Sequence, residues 1–176
     1  MTIALDGSAG VTFPSGAVGN SALMTATAQN STSGTSIDFT SIPSWVKRVT
    51  IVFNGVSTSG TSNKLLQLGS GSVTTSGYSN ASSFLATASM GTANYTNGFN
   101  FYNLITAADT LSGLIIFTTI GSNTWICSGS VGSSASAIQG VTNGSIALGG
   151  ALDRVRITTA GGTDTFDAGS INILYE

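Results

Sequence analysis

The sequence has no histidine, a single cysteine and two prolines, and charged residues make up only 7% of its 176 positions. Each shortage removes a class of chemistry. Without histidine no Ser-His-Asp or Cys-His arrangement can activate a nucleophile, and the commonest ligand of zinc, copper and iron is missing. The lone cysteine, Cys127, can form no internal disulfide and no cysteine-rich metal centre. Within NTWICSGSV it reads as a small buried apolar side chain rather than a reactive thiol. Five basic residues are scattered along a chain of net charge −2, so there is no basic stripe for a phosphate backbone, and nucleic acid is not an expected partner. Mean hydropathy is +0.32, yet the longest apolar run is about residues 113–117. A membrane-spanning helix needs ~18 apolar residues, so no membrane insertion is expected. The N-terminus has no Lys or Arg before Lys47 and no apolar h-region, which predicts no secretory signal. Despite 23 glycines there is no Walker A or GxGxxG sequence, so no nucleotide cofactor is expected, nor any other.

What remains is Ser, Thr, Asn, Gly and apolar residues. A chain of this length suits one domain that buries roughly 70% of its surface. A polar but nearly uncharged surface gives copies little reason to repel one another, which predicts a homo-oligomer.

The strongest strand signal lies in residues 37–56, IDFTSIPSWVKRVTIVFNGV. Val49, Ile51 and Phe53 alternate with Thr50, Val52 and Asn54, a period of two that suits one buried face. Pro43 biases Ile42 away from helix, placing a turn there and strand entry near Val46. Asn54-Gly55 tolerates positive φ and is expected to end the strand. Further strands are predicted over 37–40, 65–69, 99–105, 113–120, 124–131, 145–148, 154–159 and 171–175, separated by Gly-, Asn- and Ser-rich turns. Residues 70–98 read as long loops with one weak strand around Phe84. No segment keeps a 3.6-residue period, apart from a poorly capped helix possible over 22–28. The expected fold is all-β, a jelly-roll-like antiparallel β-sandwich over 35–176. It is preceded over 1–34 by an extended arm or short edge strands, with Leu5, Val11 and Phe13 as apolar anchors for attachment. A two-residue turn at Gly161-Gly162 would pair Ile157 with Phe166 and Arg156 with Asp167.

Two places merit weighing for chemistry. Asp153, Asp164 and Asp167 lie close in sequence, and paired carboxylates can serve glycoside hydrolysis or, with backbone carbonyls at Asp164 and Asp167, hold calcium. The plainer reading has Asp167 paired with Arg156 and Asp164 solvating a turn, which leaves a non-enzymatic protein without a metal site. In residues 91–103, GTANYTNGFNFYN, aromatic and amide side chains interleave. Tyr95, Asn97 and Tyr102 could bind a sugar by ring stacking and hydrogen bonds. Alternatively the segment is a hairpin turning at Asn97-Gly98, with Phe99 and Phe101 in the core and Tyr102 at its rim.

LDGSAGVTFPSG (residues 5–16) resembles a motif of tail-fibre-like and other structural proteins of tailed bacteriophages, with Ser15 where the motif carries an acidic residue. Residues 37–62 and LDRVRITTAGGTDTFDAGSINILYE (152–176) resemble a family of small phage virion proteins. Together these stretches cover about a third of the chain. The resemblance brings no catalytic residues. It implies a trimeric β-rich virion component. Joined to the residue patterns above, the expectation is a protein on the particle surface that docks on other virion proteins through the arm and displays the loops of residues 70–103, with a host surface glycan as a candidate ligand. Tail fibre or receptor-binding tip, capsid decoration protein, and a carbohydrate-binding module outside any virion are the readings left open.

Overall fold

The computed structural model of the chain describes residues 4–6, 10–12, 23–102 and 106–176, with side chains over 23–101 and 106–176. β1 (Ala4–Asp6) and β2 (Gly10–Thr12) form an antiparallel ribbon with Leu5 opposite Val11. There follow β3 (Met24–Thr25), β4 (Gln29–Asn30), β5 (Ser36–Thr40), β6 (Arg48–Thr58), β7 (Lys64–Ser70), β8 (Ser72–Val73), β9 (Ser79–Ala86), β10 (Ser89–Tyr95), β11 (Phe99–Tyr102), β12 (Leu111–Gly121), β13 (Thr124–Ser133), β14 (Ile138–Ala147), β15 (Arg154–Thr159) and β16 (Phe166–Tyr175). None of the described residues is helical, so among them no helix is long and apolar enough to cross a membrane. The region 22–28 that could have been helical holds β3 instead.

The fold is an all-β antiparallel sandwich. Its larger sheet has the order β10-β9-β14-β13-β12-β6-β16, with β3 and β4 on the outer side of β16, and its smaller sheet runs β11-β7-β15-β5, with β8 on the end of β7. Alternation decides what lies between them. Val49, Ile51 and Phe53 of β6, Ile115 and Phe117 of β12, and Ile171 and Ile173 of β16 point inward, against Ile37, Phe39, Leu66, Leu68, Val155 and Ile157 of the smaller sheet. Phe99 and Phe101 of β11 bridge the layers, with ring centroids 5.4 Å from Phe117 and 5.1 Å from Phe53. Cys127 is buried in the same core, and burial pushes its thiol up from its ordinary range, consistent with a packing role.

Three expectations need correction. Asn54-Gly55 does not end the strand: β6 runs on to Thr58, and Gly55 (φ 62°) sits where the pairing with β12 and β16 shifts register. It is a bulge, which bends a long strand without ending it. The bulge has a partner in Gly169 (φ 88°), where a Cβ would collide with the Gly55 carbonyl. Gly169→Ala is therefore expected to destabilise the protein by about 1–3 kcal/mol, read as a lowered urea midpoint. The Gly161-Gly162 hairpin is also absent. β15 pairs with β5 and β7 in the smaller sheet and β16 with β6 in the larger, so Ile157 does not face Phe166. Arg156 instead makes a bidentate pair with Asp38, at 2.7 and 2.8 Å. Finally, the weak strand expected around Phe84 is the full strand β9, and β10, which falls where loop was expected, pairs with it throughout.

The segment 23–31, read from sequence as the end of the arm, lies along β16, where the Ala26 and Ser31 amides donate to the Ile173 and Gly169 carbonyls. Phe13 lies outside the described residues, as does the Tyr102 side chain.

Candidate functional site

β9 and β10 form the end of the larger sheet, and β11 packs across their inner side. The inward positions there are mostly small or polar, Phe84 being the exception: Asn80, Ser82 and Phe84 on β9, with Tyr95, Ala93 and Gly91 as their register partners on β10. An amide network ties this end together. Asn80 Nδ2 donates to Thr142 Oγ1 (2.9 Å) and the Asn143 carbonyl (3.1 Å), and its Oδ1 accepts the Asn100 amide (3.0 Å). Ser82 Oγ lies 3.4 Å from Asn100 Oδ1 and 3.3 Å from the Ala93 carbonyl. Asn100 is buried, and its Nδ2 has no hydrogen-bond partner. Beside it lies a cavity of about 80 Å³. Asn100 and Ser82 are its buried lining, while Asn63, Phe84, Gly91 and Ala93 are half-buried and Thr92 is exposed, so it reaches the surface.

Tyr95 stands next to this cavity. Its hydroxyl accepts from Asn63 Nδ2 at 2.8 Å, and its ring lines a shallow open groove with Asn80, Asn94, Thr96 and Asn143. Asn97 is not across a hairpin from it. The chain passes from the larger to the smaller sheet over residues 96–98, because β10 pairs with β9 and β11 with β7. Phe99 and Phe101 are buried as expected, and the Asn97 carbonyl accepts from Gln67 Nε2 at 2.7 Å. The structure thus places Tyr95 beside the cavity and along an open groove, and ties Asn97 to the crossover. Sequence reasoning missed Asn63, Ser82 and Asn100. Asn100 sits inside the singled-out aromatic stretch, but only the sheet-to-sheet crossing shows that its amide is buried.

The carboxylates are committed elsewhere. Asp153 bonds Arg154 at 2.7 Å and accepts the Gly71 amide, and the Arg154 hydrogen bond draws its carboxyl below the ordinary range. Asp164 accepts the Ser62 amide (2.9 Å), and Asp167 accepts from the Ser57 hydroxyl rather than from Arg156. Asp109 accepts from the Ser133 and Ser136 hydroxyls. Among the described residues no three His, Cys, Asp or Glu side chains gather to hold a metal ion.

The second feature is a surface. On the outer face of the larger sheet, Val52, Leu114, Ser130, Val141 and Ser83 fall in one cross-strand row. Thr50, Ile116, Ser128, Asn143 and Ala81 make the next. Leu114 and Val141 are exposed, at 49% and 37%. No Lys, Arg, Asp or Glu occurs in β12, β13, β14, β9 or β10, five strands that lie side by side in that order, with β10 at the sheet edge. No protein-family model matches the sequence, and no curated protein or solved structure matches it significantly.

Proposed function

We propose that this protein is a non-enzymatic, self-associating structural component of a phage particle, a trimeric tail fibre or receptor-binding tip. The observation that carries the reading is the uncharged run of strands from β12 to β10, with Leu114 and Val141 exposed on its outer face. Natural sheets protect an edge with lysine, proline or bulges, and keep exposed apolar patches small. Here β10 has no charge and no proline, and Leu114 and Val141 stand on the face behind it. A face without charge meets a copy of itself with no like-charge repulsion. The resemblance of residues 5–16, 37–62 and 152–176 to phage virion proteins supplies the setting. Docking on other virion proteins falls to the arm, including Leu5 and Val11 of its ribbon, and display to a host glycan falls to the β9–β11 end. The neighbouring reading is capsid decoration, which needs the same self-association but no ligand site.

Copy number in purified particles tests this. A few trimers per particle is the expected result. A ratio near one to one with the major capsid protein, or a simple symmetry fraction of it, identifies decoration instead, and absence from the particle overturns both. Self-association has its own check. Wild-type protein is expected to sediment as a trimer, and the double variant Leu114→Lys, Val141→Lys as a folded monomer, because two charges buried at an interface cost far more than they do in water.

A further inference from the structure

We infer that the cavity beneath β10 is a subsite for the acetamido group of a neutral N-acetylated sugar. The inference deepens the display half of the function proposed above and rests on it only for the identity of the ligand's source. The first observation is Asn100. A buried amide N–H without a partner costs about 1–3 kcal/mol, so a native structure keeps one where an acceptor arrives. Its backbone amide and its Oδ1 are both engaged, at 3.0 Å to Asn80 and 3.4 Å to Ser82, and only Nδ2 remains without a partner, on a residue that lines the cavity. A carbonyl oxygen is the complementary group.

The second observation is the size and polarity of the space. About 80 Å³ is the share of two or three waters at roughly 30 Å³ each, too little for a sugar ring and comparable to one acetamido group. Phe84, Gly91 and Ala93 supply an apolar wall for a methyl beside the polar floor of Asn100 and Ser82. Gly91 keeps that wall in place, since a Cβ there would run into the Phe84 ring. The third is charge. No ionised side chain lines the cavity, and none belongs to β9 or β10, so nothing compensates a carboxylate or phosphate and the ligand is neutral. The hydroxyls of the sugar would then meet exposed Thr92 at the rim.

The test is an NMR titration of ¹⁵N-labelled protein with methyl N-acetyl-β-glucosaminide and, separately, with methyl β-glucoside. The readouts are the Asn100 side-chain amide pair and the Gly91 amide. The expected result is a saturable shift of both with the N-acetyl sugar and at least a tenfold weaker response to the glucoside. Ala93→Leu, which fills the cavity from an edge strand, is expected to remove the response while the remaining spectrum keeps its native dispersion. No shift, an equal shift with both sugars, or a shift that survives Ala93→Leu overturns the proposal and leaves the cavity to water. Particle copy number is independent of this titration, so failure of the subsite and failure of the virion reading are told apart.

Discussion

Removing residues 171–176 is expected to abolish cooperative folding. These residues are half of β16, which lies between β6 on one side and β3 and β4 on the other, so the cut exposes one edge of β6 and strands the short segments outside it. Ile171 and Ile173 are each 1% exposed within the core. Losing one such side chain costs about 2–5 kcal/mol, and a whole domain is stable by only about 5–15 kcal/mol. The cut also removes Tyr175, whose ring lies 6.0 Å from Trp45, and the Glu176 carbonyl that accepts from the Lys47 and Arg48 amides. The Arg48–Glu176 ion pair at 3.0 Å is half-exposed and adds little. Near-UV circular dichroism with a thermal melt checks this: the truncated chain should show no cooperative transition. An unchanged melting temperature would mean that β16 is dispensable. Ile173→Ala, expected to melt lower yet still cooperatively, separates lost packing from lost strand.

The end of the chain was legible because its apolar period is intact. Ile171 and Ile173 keep the alternation that marks a half-buried strand, as do Val49, Ile51 and Phe53. Connectivity was not legible, and the Gly161-Gly162 turn shows why. Turn residues specify a reversal of direction but not the sheet in which the next strand lies. Apolar opposite apolar and Arg156 opposite Asp167 made a consistent local hairpin, while the true partner of Arg156 is Asp38, 118 positions away. The middle of the chain hid its strands for a different reason. Inward positions of β14 include Gly140, Thr142 and Gly144, and a Cβ on Gly144 would approach Phe99 within 3.0 Å. The Phe99 ring takes the space that an apolar side chain would otherwise fill, so the period of two disappears from the sequence. On β9 and β10 the inward Ser82, Phe84, Gly91 and Ala93 line a cavity, and Asn80, Ser82 and Ala93 carry little apolar signal. This strand pair was hard to read because its inward positions are mostly polar or small.

Lys64 is the largest departure from pattern, and it predicts an unusual pH dependence. It occupies the inward position of β7 that Leu66 and Leu68 continue, and it is fully buried, with Nζ donating to Thr58 Oγ1 at 2.6 Å. Burial pulls its pKa from 10.5 down to about 8, against the opposing pull of Asp164, Asp167 and Asp109. The unfolded chain therefore holds a proton between about pH 8 and 10.5 that the folded protein has released, and stability attributable to this residue rises with pH across that window. Each tenfold step in a protonation constant is about 1.4 kcal/mol, so the whole rise amounts to about 3 kcal/mol. The wild-type curve alone will not show all of it. Burial raises the Cys127 thiol above its ordinary 9.0 and the Tyr78 hydroxyl from 10.0 to about 12. For an acid raised in the folded state, stability falls as pH climbs from the ordinary value through the raised one. Cys127 thus opposes Lys64 from about pH 9 and Tyr78 from about pH 10, and a net rise is expected only between about 8 and 9. The difference between wild type and Lys64→Met cancels both. At pH 7 the variant is expected to be more stable by about 1–3 kcal/mol, since a buried charge gives way to an apolar chain of similar length. That advantage should shrink steadily from about pH 8 to 10.5, measured by urea unfolding at fixed ionic strength. Parallel curves across the window would mean that the amine is not buried as a charge, and that the opening of β7 is held by something other than the Lys64–Thr58 contact.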